Sequence, residues 1–255
     1  MENFFTLMTP LAFAVACGIA VVAGIVKGTV GFAMPMVLIS GLTVFLPPEI
    51  ALAGLILPTV VTNLMQALRQ GIGPAWDTVR KFRVFLLCGL VTLLISAQLV
   101  RLLSADLLLM LIGVPIVLFA LLRLSGRQFE MARQIPLVEA AIGGLAGFIG
   151  GLSGVWGPPT VAYLTALGTE KHEHVRTQGV IYGLGAVALV GAHLTSGVLR
   201  AQTLPFSMAL IVPAVIGMWV GTMILDRIDQ RMFGRVTLLV LLLAGLNLVR
   251  RGMTG

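Results

Sequence analysis

The chain has 255 residues, of which 58% are hydrophobic and 11% charged, with 17 Lys and Arg against 10 Asp and Glu. A soluble domain carries roughly 25% charged residues to keep its surface wet, so a water-exposed globule of this size is excluded. The net charge of +7 does not signal nucleic acid either, because the basic residues lie between apolar stretches, as membrane loops carry them, and not on one face among aromatics.

In chain order, uncharged stretches run over 11–26, 28–48, 50–68, 84–100, 107–122, 140–169, 177–199, 201–225 and 236–249. A helix needs roughly 20 apolar residues to cross a bilayer core, and 140–169 is long enough for two segments. The first element, 10–27, contains the weakly lipoprotein-like string Ala14-Val15-Ala16-Cys17-Gly18. No Lys or Arg precedes it, so it is expected to stay as an uncleaved helix. Cys17 and Cys88 lie in different apolar runs and are expected to pack as small hydrophobes.

The first segment closes on Gly24, Gly28, Gly31 and Pro35, spaced G-x3-G-x2-G-x3-P. Segments at 32–46, 49–68, 84–100 and 106–123 follow. In 49–68, Thr59, Thr62, Asn63 and Gln66 recur at three- and four-residue spacing, which places them on one helix face. A linker at 124–135 contains the loop signal Ser125-Gly126-Arg127. The next segment, 136–152, closes on Gly147, Gly151, Gly154 and Pro158, the same pattern displaced by 123 positions. Segments at 155–168, 175–197, 204–225 and 232–249 complete the chain, with Gln178 and Tyr182 on one face of the second of these.

The expected fold is an all-α polytopic membrane protein of about ten transmembrane segments. It is a 5+5 inverted repeat, residues 1–123 and 136–255 joined by a cytoplasmic linker, with short broken or re-entrant second segments. With both termini outside, alternation leaves 13 Lys and Arg inside and 4 outside, a positive-inside pattern. The expected location is the bacterial inner membrane.

Inverted repeats are common in secondary transporters, where the substrate site lies at broken helices near the midplane. A helix N-terminus presents unpaired N–H groups and partial positive charge, which suits an anion. The candidate site is therefore Gly28, Gly31 and Phe32 with Gly151, Ser153, Gly154, Val155 and Trp156. Gly24, Pro35, Gly147 and Pro158 mark the helix breaks. The other reading of the glycines is small-residue packing between helices. Lys27 either serves the site as an intramembrane cation or snorkels to the interface. Asn63, Gln66, Gln178 and Tyr182 either line the cavity or tie helices together. The ten carboxylates all fall near span ends or in loops, which argues against a metal-cation or Na+/H+ path. No metal and no cofactor is expected, and the coupling ion is left open. The expected partners are the bilayer and a small anion, with homo-oligomer formation left open and no nucleic acid.

The twin glycine–proline motifs, each opening a half of about 120 residues, resemble those of the TauE/SafE family of membrane permeases. The resemblance covers essentially the whole chain. It implies transport, often export, of sulfur-containing anions such as sulfite or organosulfonates, and carries over onto Gly24, Gly28, Gly31, Pro35, Gly147, Gly151, Gly154 and Pro158. Where many members have a run of glycines, this chain has Lys27, Thr29 and Val30 around Gly28.

Two alternatives come from other classes. Gly151-Leu152-Ser153-Gly154 resembles the nucleophile motif of rhomboid intramembrane proteases, with His193 as the histidine of a Ser–His pair. An anion channel would share the fold without alternating states.

Overall fold

The computed structural model describes residues 9–99, 105–126, 131, 133–153, 157–195 and 201–254, and these form eleven α-helices without a strand among them. They are α1 (Pro10–Val30), α2 (Met34–Leu42), α3 (Pro48–Leu68), α4 (Ile72–Lys81), α5 (Arg83–Leu99), α6 (Ala105–Leu124), α7 (Pro136–Ser153), α8 (Gly157–Ala166), α9 (Lys171–Thr195), α10 (Leu204–Arg227) and α11 (Gln230–Thr254). The expected segments each coincide with a helix. The additional one, α4, lies where the sequence reads as a loop.

Helices within Pro10–Val30, Ile50–Leu68, Leu204–Arg227 and Gln230–Met253 are long and apolar enough to cross a membrane, and Arg83–Ser96 and Pro136–Gly151 are shorter apolar helices. Their outward faces are apolar. Leu87, Leu90, Val91 and Leu94 on α5, and Val212, Ile216 and Trp219 on α10, are all exposed. Continuous apolar surface of this kind suits lipid and would be a liability in water.

Glycines set the closest helix contacts. α1 packs lengthwise on α10, and α7 packs on α5. A methyl group on Gly24 would collide with the Ala214 carbonyl, and one on Gly147 with the Gly89 carbonyl. Gly28 meets Met218 and Gly221, while Gly217 meets Val21 in return. Backbones approach this closely only where no Cβ intervenes. α3 packs on α9 and α6 on α11.

α1 is nucleated by Thr9, whose Oγ1 accepts from the Ala12 N–H at 3.2 Å, and by Pro10 in the first turn. It runs unbroken through Gly24 and Gly28, and α7 runs through Gly147 and Gly151. The expectation that Gly24 and Gly147 break their helices is therefore corrected. They sit inside continuous helices, where their lack of a side chain admits a neighbouring backbone. The first break comes at Gly31, in the left-handed region with φ 89°, its N–H donating to the Lys27 carbonyl at 2.7 Å.

The short helices turn back. α2 has nine residues, about 14 Å at 1.5 Å per residue, half a bilayer core. Its Leu38 and Leu42 join Ala16 and Ala20 of α1 and Ala51 of α3 in one buried cluster, and Gly41 lies against Ile19. α2 thus retraces α1 toward the end where α1 began. α8 likewise finishes where α7 starts, the Ala166 carbonyl accepting from the Met131 N–H at 2.8 Å. Each short helix thus folds back along the helix before it.

Candidate functional site

The tips of the two hairpins meet against α9. Gln178 Nε2 donates to the Val30 carbonyl at 3.2 Å, and the Tyr182 hydroxyl donates to the Gly157 carbonyl at 3.1 Å. Gly157 lies against the Phe32 ring. Gln178 and Tyr182 are 7 and 11 residues into α9, so the tips lie about 10–16 Å below its start. Two glycines of α9 allow this: Gly179 packs on the backbone of Gln66 and Ala67, and Gly183 on Asn63. That close crossing brings the polar face of α3 to the first tip.

The Lys27 side chain is buried, and its Nζ donates to Asn63 Oδ1. Lys27 does not snorkel. Gln66 Nε2 donates to the Gly31 carbonyl at 3.0 Å and to the Val175 carbonyl at 2.6 Å, clamping the end of α1 to α9. These bonds fix the amide orientations and leave Asn63 Nδ2, Gln66 Oε1 and Gln178 Oε1 buried without a partner among the described residues. The same holds for Thr177 Oγ1. Buried polar groups are nearly always paired, so several at one place mark a position for ligand or water. Thr59 and Thr62 instead bond back to Leu55 and Pro58 on their own helix.

The two tips are not equivalent. α2 starts from Ala33, held at φ 70°, and no side chain caps it. Its first turn contains one proline, Pro35, so N–H groups remain for an anion. α8 has Pro158 and Pro159 in its first turn, which removes two donors. Gly154, Val155 and Trp156 lie outside the described residues, as do the side chains of Ser153 and His193. The backbone places His193 about 16 Å further along α9 than Tyr182.

A basic cavity of about 290 Å³ leads toward the first tip, lined by Gln66, Arg69, Gln70, His172, Val175, Arg176 and Leu225. Arg69 is ion-paired with Asp226 at 2.6 Å, and Arg176 donates to Thr78 Oγ1 at 2.8 Å and to Gln70. Lys81 of α4 pairs with Glu173 at 2.6 Å. One end of the molecule is thus a belt of charge joining α3, α4, α9 and α10.

The family described as "Sulfite exporter TauE/SafE" matches residues 16–248 of the chain. The chain belongs to the TauE/SafE family. It is accordingly a membrane protein of a family of sulfite- and sulfonate-exporter-type transporters, which are not enzymes. No curated protein and no solved structure matches it. In this TauE/SafE chain, sequence reasoning missed Arg69 and Arg176, which read as ordinary loop charges, and the glycines Gly179 and Gly183. The GxxxG spacing of that last pair was the available signal.

Proposed function

We propose that this TauE/SafE protein is a secondary transporter that exports a small sulfur-containing anion, sulfite or an organosulfonate, through the bacterial inner membrane. Its halves, 1–123 and 136–255, form an inverted repeat joined by a cytoplasmic linker at 124–135, and the substrate is held between the hairpin tips under alternating access. Reciprocal packing supports the repeat: the first helix of each half pairs with a late helix of the other, α1 with α10 and α7 with α5. α1 ends toward the charged belt. α7 starts near it, where Glu139 accepts from the Phe85 N–H at 3.1 Å, so the equivalent helices run oppositely.

One observation carries the anion reading. The Lys27 ammonium is buried against a neutral amide, and the Asn63 Nδ2 donor beside it has no partner. A buried ammonium without counter-charge is costly. An oxyanion arriving here neutralises Lys27 and accepts from Asn63, while the uncapped start of α2 supplies N–H groups. The vestibule arginines raise the local anion concentration at the entrance. Departure of the anion restores the uncompensated charge, which favours reloading or closure.

The test is thermal stabilisation of purified protein by sulfite, sulfoacetate, taurine, sulfate, acetate and chloride. A ligand that binds only the folded state raises its apparent stability with saturation. The expected result is stabilisation by sulfite or a sulfonate that disappears in Lys27→Met. Equal stabilisation by acetate and chloride, or a shift unchanged in Lys27→Met, would overturn the assignment.

A further inference from the structure

We propose that a second cavity at the charged end, between α6, α8, α9 and α11, binds a phosphate-bearing anion separate from the exported substrate. The cavity has a volume of about 570 Å³ and is lined by Arg123, Arg231 and Arg235 together with Thr165, His174 and Thr237. Among the described residues that line it there is no carboxylate. The carboxylates adjacent to the lining in sequence are engaged elsewhere: Glu170 Oε2 accepts from the His172 N–H at 3.0 Å at the start of α9, Glu173 pairs with Lys81, and Asp229 Oδ1 accepts from the Met232 N–H at 2.6 Å at the start of α11.

Two buried residues of this lining carry polar atoms without a hydrogen-bond partner among the described residues. His174 is 2% exposed and Thr237 is 0% exposed, and His174 Nε2 and Thr237 Oγ1 are the atoms concerned. His174 is held edge-on by the Phe233 ring at 5.3 Å. Six other threonines bond back to the carbonyl four residues earlier, namely Thr29, Thr43, Thr59, Thr62, Thr78 and Thr92. Thr237 does not, although it lies inside a helix where that bond is ordinarily made. Its hydroxyl is kept for something else.

The chemistry of the lining selects the ligand. Three guanidinium groups, one of them also donating to the Thr165 carbonyl at 3.4 Å, and two threonine hydroxyls match a multivalent oxyanion. The volume lies in the range of small-molecule sites and exceeds what a sulfite-sized ion fills. Val175, Leu225 and Phe233 form an apolar wall between this cavity and the vestibule, so the two sites are distinct. The phosphate can belong to an anionic lipid headgroup or to a soluble metabolite.

The experiment uses delipidated full-length protein in detergent, with pyrophosphate, short-chain phosphatidylglycerol and short-chain phosphatidylcholine as probes in thermal-shift titrations. Pyrophosphate or phosphatidylglycerol is expected to stabilise the wild type, with apparent affinity falling about tenfold or more in Arg231→Gln/Arg235→Gln. Thr237→Val, nearly isosteric, keeps the unliganded stability and weakens the same titration. Lys27→Met leaves it unchanged, which separates this site from the transport site. Stabilisation by pyrophosphate assigns a soluble source, and stabilisation by phosphatidylglycerol alone assigns a headgroup. Phosphatidylcholine acting as well as phosphatidylglycerol, silence of both phosphate probes, or titrations unaltered in both variants would overturn the proposal.

Discussion

At Lys27 a single side chain carries the positive charge of the candidate site, and among the described residues it donates to the Asn63 amide. Hydrogen bonds to charged groups contribute about 1.5–3 kcal/mol, so Lys27→Met should weaken anion binding by roughly 10- to 100-fold. Lys27→Arg should retain part of the affinity, because the charge survives while the geometry changes. Efflux from vesicles at matched protein levels, fitted for apparent affinity, checks both. Gly31 gives a sharper steric test. Its φ of 89° disfavours any side chain, and an added Cβ would meet Gln178 Oε1 at 2.5 Å. Gly31→Leu should abolish transport while the protein still inserts in the membrane, as read by its yield in the membrane fraction. The sequence singles out Lys27 as an oddity but leaves it between site and interface. What decides it is the α3–α9 crossing, a tertiary fact that no local pattern encodes.

Among the elements, the same glycine motif does two jobs. Its first two glycines, Gly24 and Gly28 or Gly147 and Gly151, lie inside helices, and only Gly31 among the described ones ends a helix. Spacing alone does not divide packing glycines from breaking ones, because a glycine costs only about 1 kcal/mol in a helix interior and close packing can outweigh that. Gly24→Leu and Gly147→Leu should therefore destabilise the fold itself. Each new side chain meets a backbone carbonyl that cannot step aside. Overpacking of about 1–3 kcal/mol corresponds to a fall in Tm of on the order of 5 °C, measurable in detergent with no substrate present. Gly31→Leu should lower Tm as well, because a side chain at φ 89° is strained and presses on Gln178. The ten apolar segments were legible from hydropathy because each is long and charge-poor. α4 was not. Ile72 and Trp76 are exposed on one face while Thr78 and Lys81 bind α9, the arrangement of a helix lying in the interface plane. With ten residues and an amphipathic composition, it falls below any spanning threshold.

For the whole molecule, the side that the charged belt faces decides which compartment the vestibule opens to. The cavity lined by Arg69 and Arg176 opens at that belt, and the turn between α10 and α11 lies beside it, where Lys171 donates to the Leu225 carbonyl at 2.9 Å. The positive-inside tendency predicts that such a belt faces the cytoplasm, in which case the vestibule would receive its anion from inside the cell. Labelling tests this directly. Cys17 and Cys88 are the chain's two cysteines, and replacing both by Ala gives a clean background. Ser125 lies just after α6 at the belt, and Gln202 lies just before α10, whose other end bears Asp226; both are exposed. With a membrane-impermeant maleimide, Gln202→Cys should label in intact cells and Ser125→Cys only after lysis. The reverse pattern would turn the vestibule into an external mouth. An anion would then reach Lys27 from outside, and the structure would represent the outward-open state with the site itself unaltered.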